Sequence, residues 1–109
     1  MTIGLKVGGK IRSAAAFESF NGPNVFFHVA MERPTSEFLK LCHWYPFEYL
    51  KCHRMTCMVS SLNKKAIRAA EHIGFKKECV LEDAAPLGDI VVMKILETDF
   101  KLGAKHGIR

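Results

Sequence analysis

Apolar positions recur at every second residue over the first third of the chain. Ile3-Gly-Leu-Lys-Val7 and Ile11-Arg-Ser-Ala-Ala-Ala-Phe17 flank Gly8-Gly9, a turn pair that tolerates positive φ at both positions, and together they read as a hairpin. After Asn21-Gly-Pro-Asn24 a third extended run, Val25 to Glu32, completes an antiparallel meander. Its alternation places Val25, Phe27, Val29 and Met31 on one face and Phe26, His28, Ala30 and Glu32 on the other.

Helical spacing then takes over. Thr35 to Lys51 reads as a helix, with Pro34 and Thr35 as starters and Glu37 in the first turn, where the positive end of the dipole favours a carboxylate. Phe38, Leu41, Cys42 and Tyr45 fall on one stripe, which Trp44 and Phe47 widen into an aromatic cluster of the kind that builds cores. Pro46 lacks an N–H and predicts a kink or split. Arg54 to Ser60 returns as a strand. The crossover through a helix makes it a parallel neighbour of Val25–Glu32.

The clearest helix follows. Asn63 is a good N-cap, and Ala66, Ile67, Ala70 and Ile73 make one apolar stripe. Gly74 supplies a left-handed stop, and Phe75 packs back on the last turn. Glu78–Leu81 and Asp89–Ile95 are strand candidates of a closing hairpin around Ala84-Ala-Pro-Leu-Gly-Asp89. The sum is an α/β (α+β) domain: a mixed, mainly antiparallel sheet with two main helices.

With 109 residues the chain has room for one domain, assigned here to residues 1–100, with 101–109 as a flexible basic tail. No apolar run reaches the roughly 20 residues that cross a bilayer, and the N-terminus lacks a signal-peptide core, so a cytoplasmic protein is expected. Cys42, Cys52, Cys57 and Cys79 are scattered, and in a reducing compartment they read as small buried thiols. Cys52, His53 and Cys57 lack a second ligand pair at matching spacing, so no metal site is expected. The net charge of +5 suits an anionic partner. No recognised nucleic-acid module accompanies it, so nucleic acid is the less favoured partner.

Strand, Asn-x-x-Ala helix, Gly-Phe and terminal hairpin together resemble the C-terminal half of the GNAT family of acyl-CoA-dependent N-acyltransferases. Asn63, Ala66, Gly74, Phe75 and Gly88-Asp89 carry the likeness. It extends back through Phe38–Phe47 to about Ile3 and is closest to the short GNAT-like proteins of tailed bacteriophages, which would put the protein in a host cytoplasm. The resemblance implies acetyl-CoA as cosubstrate, held where the parallel strands 25–32 and 54–60 splay apart. Val29 and Met31 would line that slot. Arg33, Thr35, Ser36, Glu37 and Phe38 would stand at the pyrophosphate, and Asn63 and Ala66 at the mouth of the second strand.

The chain departs from the family pattern in three places. The glycine-rich cofactor loop is replaced by Arg33-Pro-Thr-Ser-Glu37, which leaves the amides of Ser36, Glu37 and Phe38 for the anion. The position of the Tyr that protonates the leaving thiolate in many members is Ala70. The first strand and two helices of the family have no counterpart, so the acceptor side is expected to be open, completed by another subunit, or lost. A homodimer is compatible with this.

An amine acceptor must lose a proton before attack. His28 and Glu32 are the candidate bases, with Glu18 on the neighbouring strand. His43, His53, His72 and His106 read as surface or filler, and Asp89 as a stabiliser of its turn. Three functions follow in order: an N-acetyltransferase acting by direct attack on an unidentified amine, a GNAT-fold virion or host-interaction protein without the reaction, and a small basic nucleic-acid-binding protein.

Overall fold

A computed structural model of the protein describes residues 2–7, 10–31 and 36–99. Strands β1 (Thr2–Val7), β2 (Lys10–Glu18) and β3 (Asn24–Met31) form the expected meander, antiparallel throughout. The Gly8-Gly9 turn, residues 32–35 and the 101–109 tail lie outside the described residues. Helix α1 (Ser36–Trp44) and a π-helical turn (Tyr45–Tyr49) lead to β4 (Arg54–Ser60). Helix α2 (Lys64–Ile73) and the hairpin β5 (Lys76–Ala85) and β6 (Gly88–Leu96) follow. The six described strands lie in the order β1-β2-β3-β4-β6-β5, and among them only β3 and β4 run parallel.

Period-2 alternation sends Ala15, Phe17, Val25, Phe27, Met55, Cys57, Met93 and Ile95 to one face, where they pack with Phe38 and Cys42 of α1 and Ala70 and Ile73 of α2. Full burial of a Phe or Ile side chain contributes roughly 1.5–3 kcal/mol, so this layer carries much of the stability. Phe27 is its hub. Its ring lies 5.2 Å from Phe17 and 5.5 Å, stacked, from Phe75. Phe75 reaches that place because Gly74, at φ 123°, ends α2 and turns the chain; the amides of both residues donate to the Ala70 carbonyl.

Pro46 splits the first helix as expected, and the split takes a definite form. The missing N–H of Pro46 removes an i→i−4 bond, and the chain widens into a π-turn in which the Leu50 amide donates to Tyr45 O at 2.9 Å and the Cys52 amide to Pro46 O at 2.8 Å. The aromatic stripe is only partly core. Phe38, Cys42 and Phe47 are buried, whereas Leu41 and Trp44 are 46% and 45% exposed. Leu41 and Trp44 lie instead on the outward stripe of α1 with Glu37 and Lys40, around a shallow depression of about 470 Å³.

Three further expectations change. His43, expected as surface or filler, is a buried and bonded link: its Nδ1 lies 2.8 Å from Leu39 O and its Nε2 3.0 Å from Ile73 O, which pins α1 to the end of α2. Both ring nitrogens thus face carbonyl oxygens. β5 runs well past Glu78–Leu81 at both ends, as the last strand of the sheet, and is exposed along Lys76–Ala84. Cys79 is exposed with it, while Cys42, Cys52 and Cys57 are buried free thiols.

Candidate functional site

The parallel pair β3·β4 is held at three positions only: Asn24↔Arg54, Val25↔Met55 and Phe26↔Thr56. The zip starts at Pro23, whose carbonyl accepts from the amides of His53 and Arg54 at 2.7 and 3.0 Å. Beyond Phe26 the strands part. β3 continues to Met31 paired with β2 alone, and β4 continues to Ser60 paired with β6 alone. A wedge therefore opens between Phe27–Met31 and Cys57–Ser60, bordered by peptide groups without a ladder partner across it. Backbone N–H and C=O groups are strong hydrogen-bonding groups, so such a border suits a ligand that carries amides of its own.

Two helix starts stand at the wide end of this wedge by connectivity. α1 begins at Ser36, five residues after β3 ends, and α2 begins at Lys64, four residues after β4 ends. Ser36 and Glu37 are exposed, and Phe38 is buried in the core, so its contribution at this end is its amide. Asn63 caps α2, its Oδ1 accepting from the Ala66 amide at 3.1 Å. Val29 is half-buried against the core. Glu32, Arg33 and Thr35, and the side chain of Met31, lie outside the described residues.

His28 projects from the other face of β3, opposite the helices. Its Nε2 stands 3.5 Å from Glu18 Oε2, and the two side chains are 49% and 64% exposed. The register explains the pairing, since His28 lies opposite Ala16 and Glu18 opposite Phe26, which makes them diagonal neighbours. An imidazole beside a carboxylate, open to solvent, can accept a proton and hold its orientation. Ala70 is 3% exposed and offers no proton to a leaving group.

Sequence reasoning missed a polar network across the lower end of this same face. Arg54 Nε donates to Thr56 Oγ1 at 3.1 Å, and Thr56 Oγ1 donates to Asn24 Oδ1 at 2.6 Å. The Arg54 guanidinium also grips Glu78, with Nη1 to Oε2 at 3.2 Å and Nη2 to Oε1 at 2.5 Å, and Lys94 Nζ lies 3.3 Å from Glu78 Oε2. The hydrogen bond from Arg54, with Lys94 beside it, holds the Glu78 carboxyl below its ordinary range. The network ties β3, β4, β6 and β5 together at the zipped end of β3·β4. Its only sequence signal was charge alternation on strands, which does not name partners. Asp89 stabilises its turn as expected, its Oδ1 accepting from the Asp83 amide at 2.8 Å. At Gly88 a Cβ would stand 3.0 Å from Ser61 Oγ, which accepts from the Asp89 amide at 3.1 Å, so a side chain there would crowd that bond.

A mixed sheet with one splayed parallel pair, crossed by a helix from β3 to β4 and followed by a second helix and a hairpin, is the fold of the GNAT acetyltransferases. Among solved structures it is shared with the spermidine/spermine N-acetyltransferase SpeG from Vibrio cholerae, solved with manganese ions, at 21% identity and a TM-score of 0.69, over 86% of this chain and 62% of that one. A GNAT-family acetyltransferase from Bacillus anthracis matches at 18% identity and a TM-score of 0.65, over 81% and 60% of the two chains. A protein named as an acetyltransferase from T. thermophilus matches at 20% identity and a TM-score of 0.77, over 98% and 63%. The chain thus spans less than two thirds of the length of each of these three. No family model matches it, and no curated protein matches it in sequence. Among the described residues no group of three or more His, Cys, Asp or Glu could hold a metal ion, and no helix is long and apolar enough to cross a membrane.

Proposed function

We propose that the chain binds acetyl-CoA in the wedge between β3 and β4 and passes its acetyl group directly to an amine. The observation that supports this is the end of the β3·β4 ladder at Phe26↔Thr56, with two helix starts beyond it. In this reading the backbone around Val29 and Met31 borders the amide-bearing arm of the cosubstrate. The pyrophosphate is assigned to the first-turn amides of Ser36, Glu37 and Phe38, with Arg33 and Thr35 as further candidate contacts. Asn63 and Ala66 stand where the arm passes α2.

The chemistry asks for one bond made and one broken. The amine nitrogen attacks the thioester carbonyl, the C–S bond breaks, and the amine's proton passes to a base. His28, oriented by Glu18 at 3.5 Å, is the base this reading favours, with Glu32 as the second candidate. The leaving thiolate takes its proton from solvent, since Ala70 cannot supply one. Loss of an acid costs roughly 100- to 10,000-fold in rate, so turnover is expected to be slow. The buried Ala70 also favours a second reading, a protein that keeps the fold and uses its surface for host or virion contacts without the reaction.

Calorimetric titration with acetyl-CoA, followed by thiol release on a panel of polyamines and lysine peptides, separates the two. Binding with release supports transfer. Binding without release on any amine supports the second reading, and absence of binding overturns the first.

A further inference from the structure

We propose that β5 is the contact strand of a symmetric homodimer, pairing antiparallel with β5 of a second copy across a two-fold axis at Val80. β5 is an edge of the sheet, and its outer row of peptide groups faces away from β6, its one neighbour among the described strands. Such an edge is a template for another strand. Val80 and Leu81 stand on it 43% and 44% exposed, larger apolar side chains than an edge without a partner favours.

The occupant follows from the order of charges. Lys76 and Lys77 open the strand, and Glu82 and Asp83 close it. A lysine-bearing edge normally repels a second strand. Here an antiparallel copy sets the basic end of each strand against the acidic end of the other, whereas a parallel copy sets like against like. β5 is complementary to itself in one direction only.

Register narrows this further. A two-fold axis normal to the sheet requires directly opposed residues to share a face, so one residue must meet its own copy. β5 pairs with β6 at Cys79↔Val92, Val80↔Val91 and Leu81↔Ile90, and Glu78 is skipped between Lys77↔Met93 and Cys79↔Val92. Centring on Val80 places Cys79 opposite Leu81 of the second copy. The skipped Glu78, whose carboxylate is held by Arg54 and Lys94, then lets Lys77 fall opposite Glu82. Lys77 shares a face with Val80 through its register with β6, and Glu82 is the first residue after Leu81↔Ile90, the last regular pair before the register shifts ahead of Ala85↔Gly88. Two Lys77–Glu82 pairs thus flank a Val80–Val80 contact. Asp83, at φ 57°, turns the chain and ends the stretch that can pair. On the helix side, a groove of about 390 Å³ lined by Ile67, Lys77, Val80, Val91 and Met93 reaches this edge, and the axis brings two such grooves side by side over Val80.

Sedimentation equilibrium of the full chain tests this. The wild type is expected at twice the chain mass. K77E and E82K should each weaken self-association by about tenfold or more, by putting like charges opposite one another twice. An equimolar mixture of K77E and E82K should dimerise again, because each altered strand then meets opposite charge on the other. V80C in a C79S background should cross-link as a disulfide dimer. A monomeric wild type, a dimer that neither reversal weakens, or a mixture that stays monomeric while both variants keep their circular dichroism would overturn the proposal.

Discussion

Removing the Asn63 side chain separates two roles that meet on one residue. The structure shows the first: Asn63 Oδ1 accepts from the Ala66 amide at 3.1 Å and caps α2. Asn63→Ala deletes that bond and leaves a first-turn amide to water, at a cost of about 1 kcal/mol. In a domain of this size that is a fall of roughly 4–8 °C in Tm. Asn63→Ser keeps an oxygen in cap position and should hold most of this stability, but it removes the amide NH2 and shortens the reach toward the wedge. If Asn63 also hydrogen-bonds the acetyl-CoA arm, both variants lose affinity by roughly two- to tenfold, the worth of one net hydrogen bond. Thermal melts without ligand read the cap, and calorimetric titration with acetyl-CoA reads the contact. Unchanged affinity in Asn63→Ser would remove the contact, and an unchanged melt in Asn63→Ala would show that the cap contributes nothing.

His43→Leu roughly keeps the volume but removes the ring nitrogens from beside the Leu39 and Ile73 carbonyls, and should cost about 1–3 kcal/mol in urea unfolding; a loss under about 0.5 kcal/mol would mean the α1–α2 link is not stabilising. Because Arg54 lowers the Glu78 carboxyl below its ordinary 4.5, that pair's contribution is present above 4.5 and is lost as pH falls through the lower folded-state value. Arg54→Met should therefore be less stable than wild type near neutral pH, and the gap should close in acid; a gap constant with pH would refute the pairing. Burial pushes the Cys42 and Cys57 thiols up to about 12 and raises that of Cys52, so a thiol reagent under native conditions should find Cys79 quickly and the other three only on unfolding. Fast labelling of more than one thiol per native chain would contradict this packing.

Legibility differed from element to element for physical reasons. α2 was readable from residues 63–75 because its start, stripe and stop are local: an Asn cap, apolar residues three and four apart, and a glycine at positive φ. The meander was readable because alternation and turn glycines lie within a few residues of one another. α1 was readable as a helix with a fault at Pro46, but not in its orientation. Phe38, Leu41, Cys42 and Trp44 satisfy one amphipathic stripe equally well, and only the position of the sheet decides that Phe38 and Cys42 go in while Leu41 and Trp44 stay out. His43 was misread for the same reason, since the carbonyl that completes its bonding, Ile73 O, lies thirty residues away. Of the candidate site residues, the structure brings His28 and Glu18 together and places Ser36 and Asn63 at helix starts beyond the same wedge. Glu32, Arg33 and Thr35 lie outside the described residues.

What the amino-acid order determined by itself is what is encoded over a few residues: which segments are strands and helices, where α2 starts and stops, and that a helix crossover makes β3 and β4 parallel. What only the tertiary structure decided is where that parallel pairing ends, which face of α1 is buried, which cations hold Glu78, and that β5 is left with one side open. Those outcomes depend on contacts between residues far apart in the chain, whose hydrogen bonds and packing form only once the sheet has assembled.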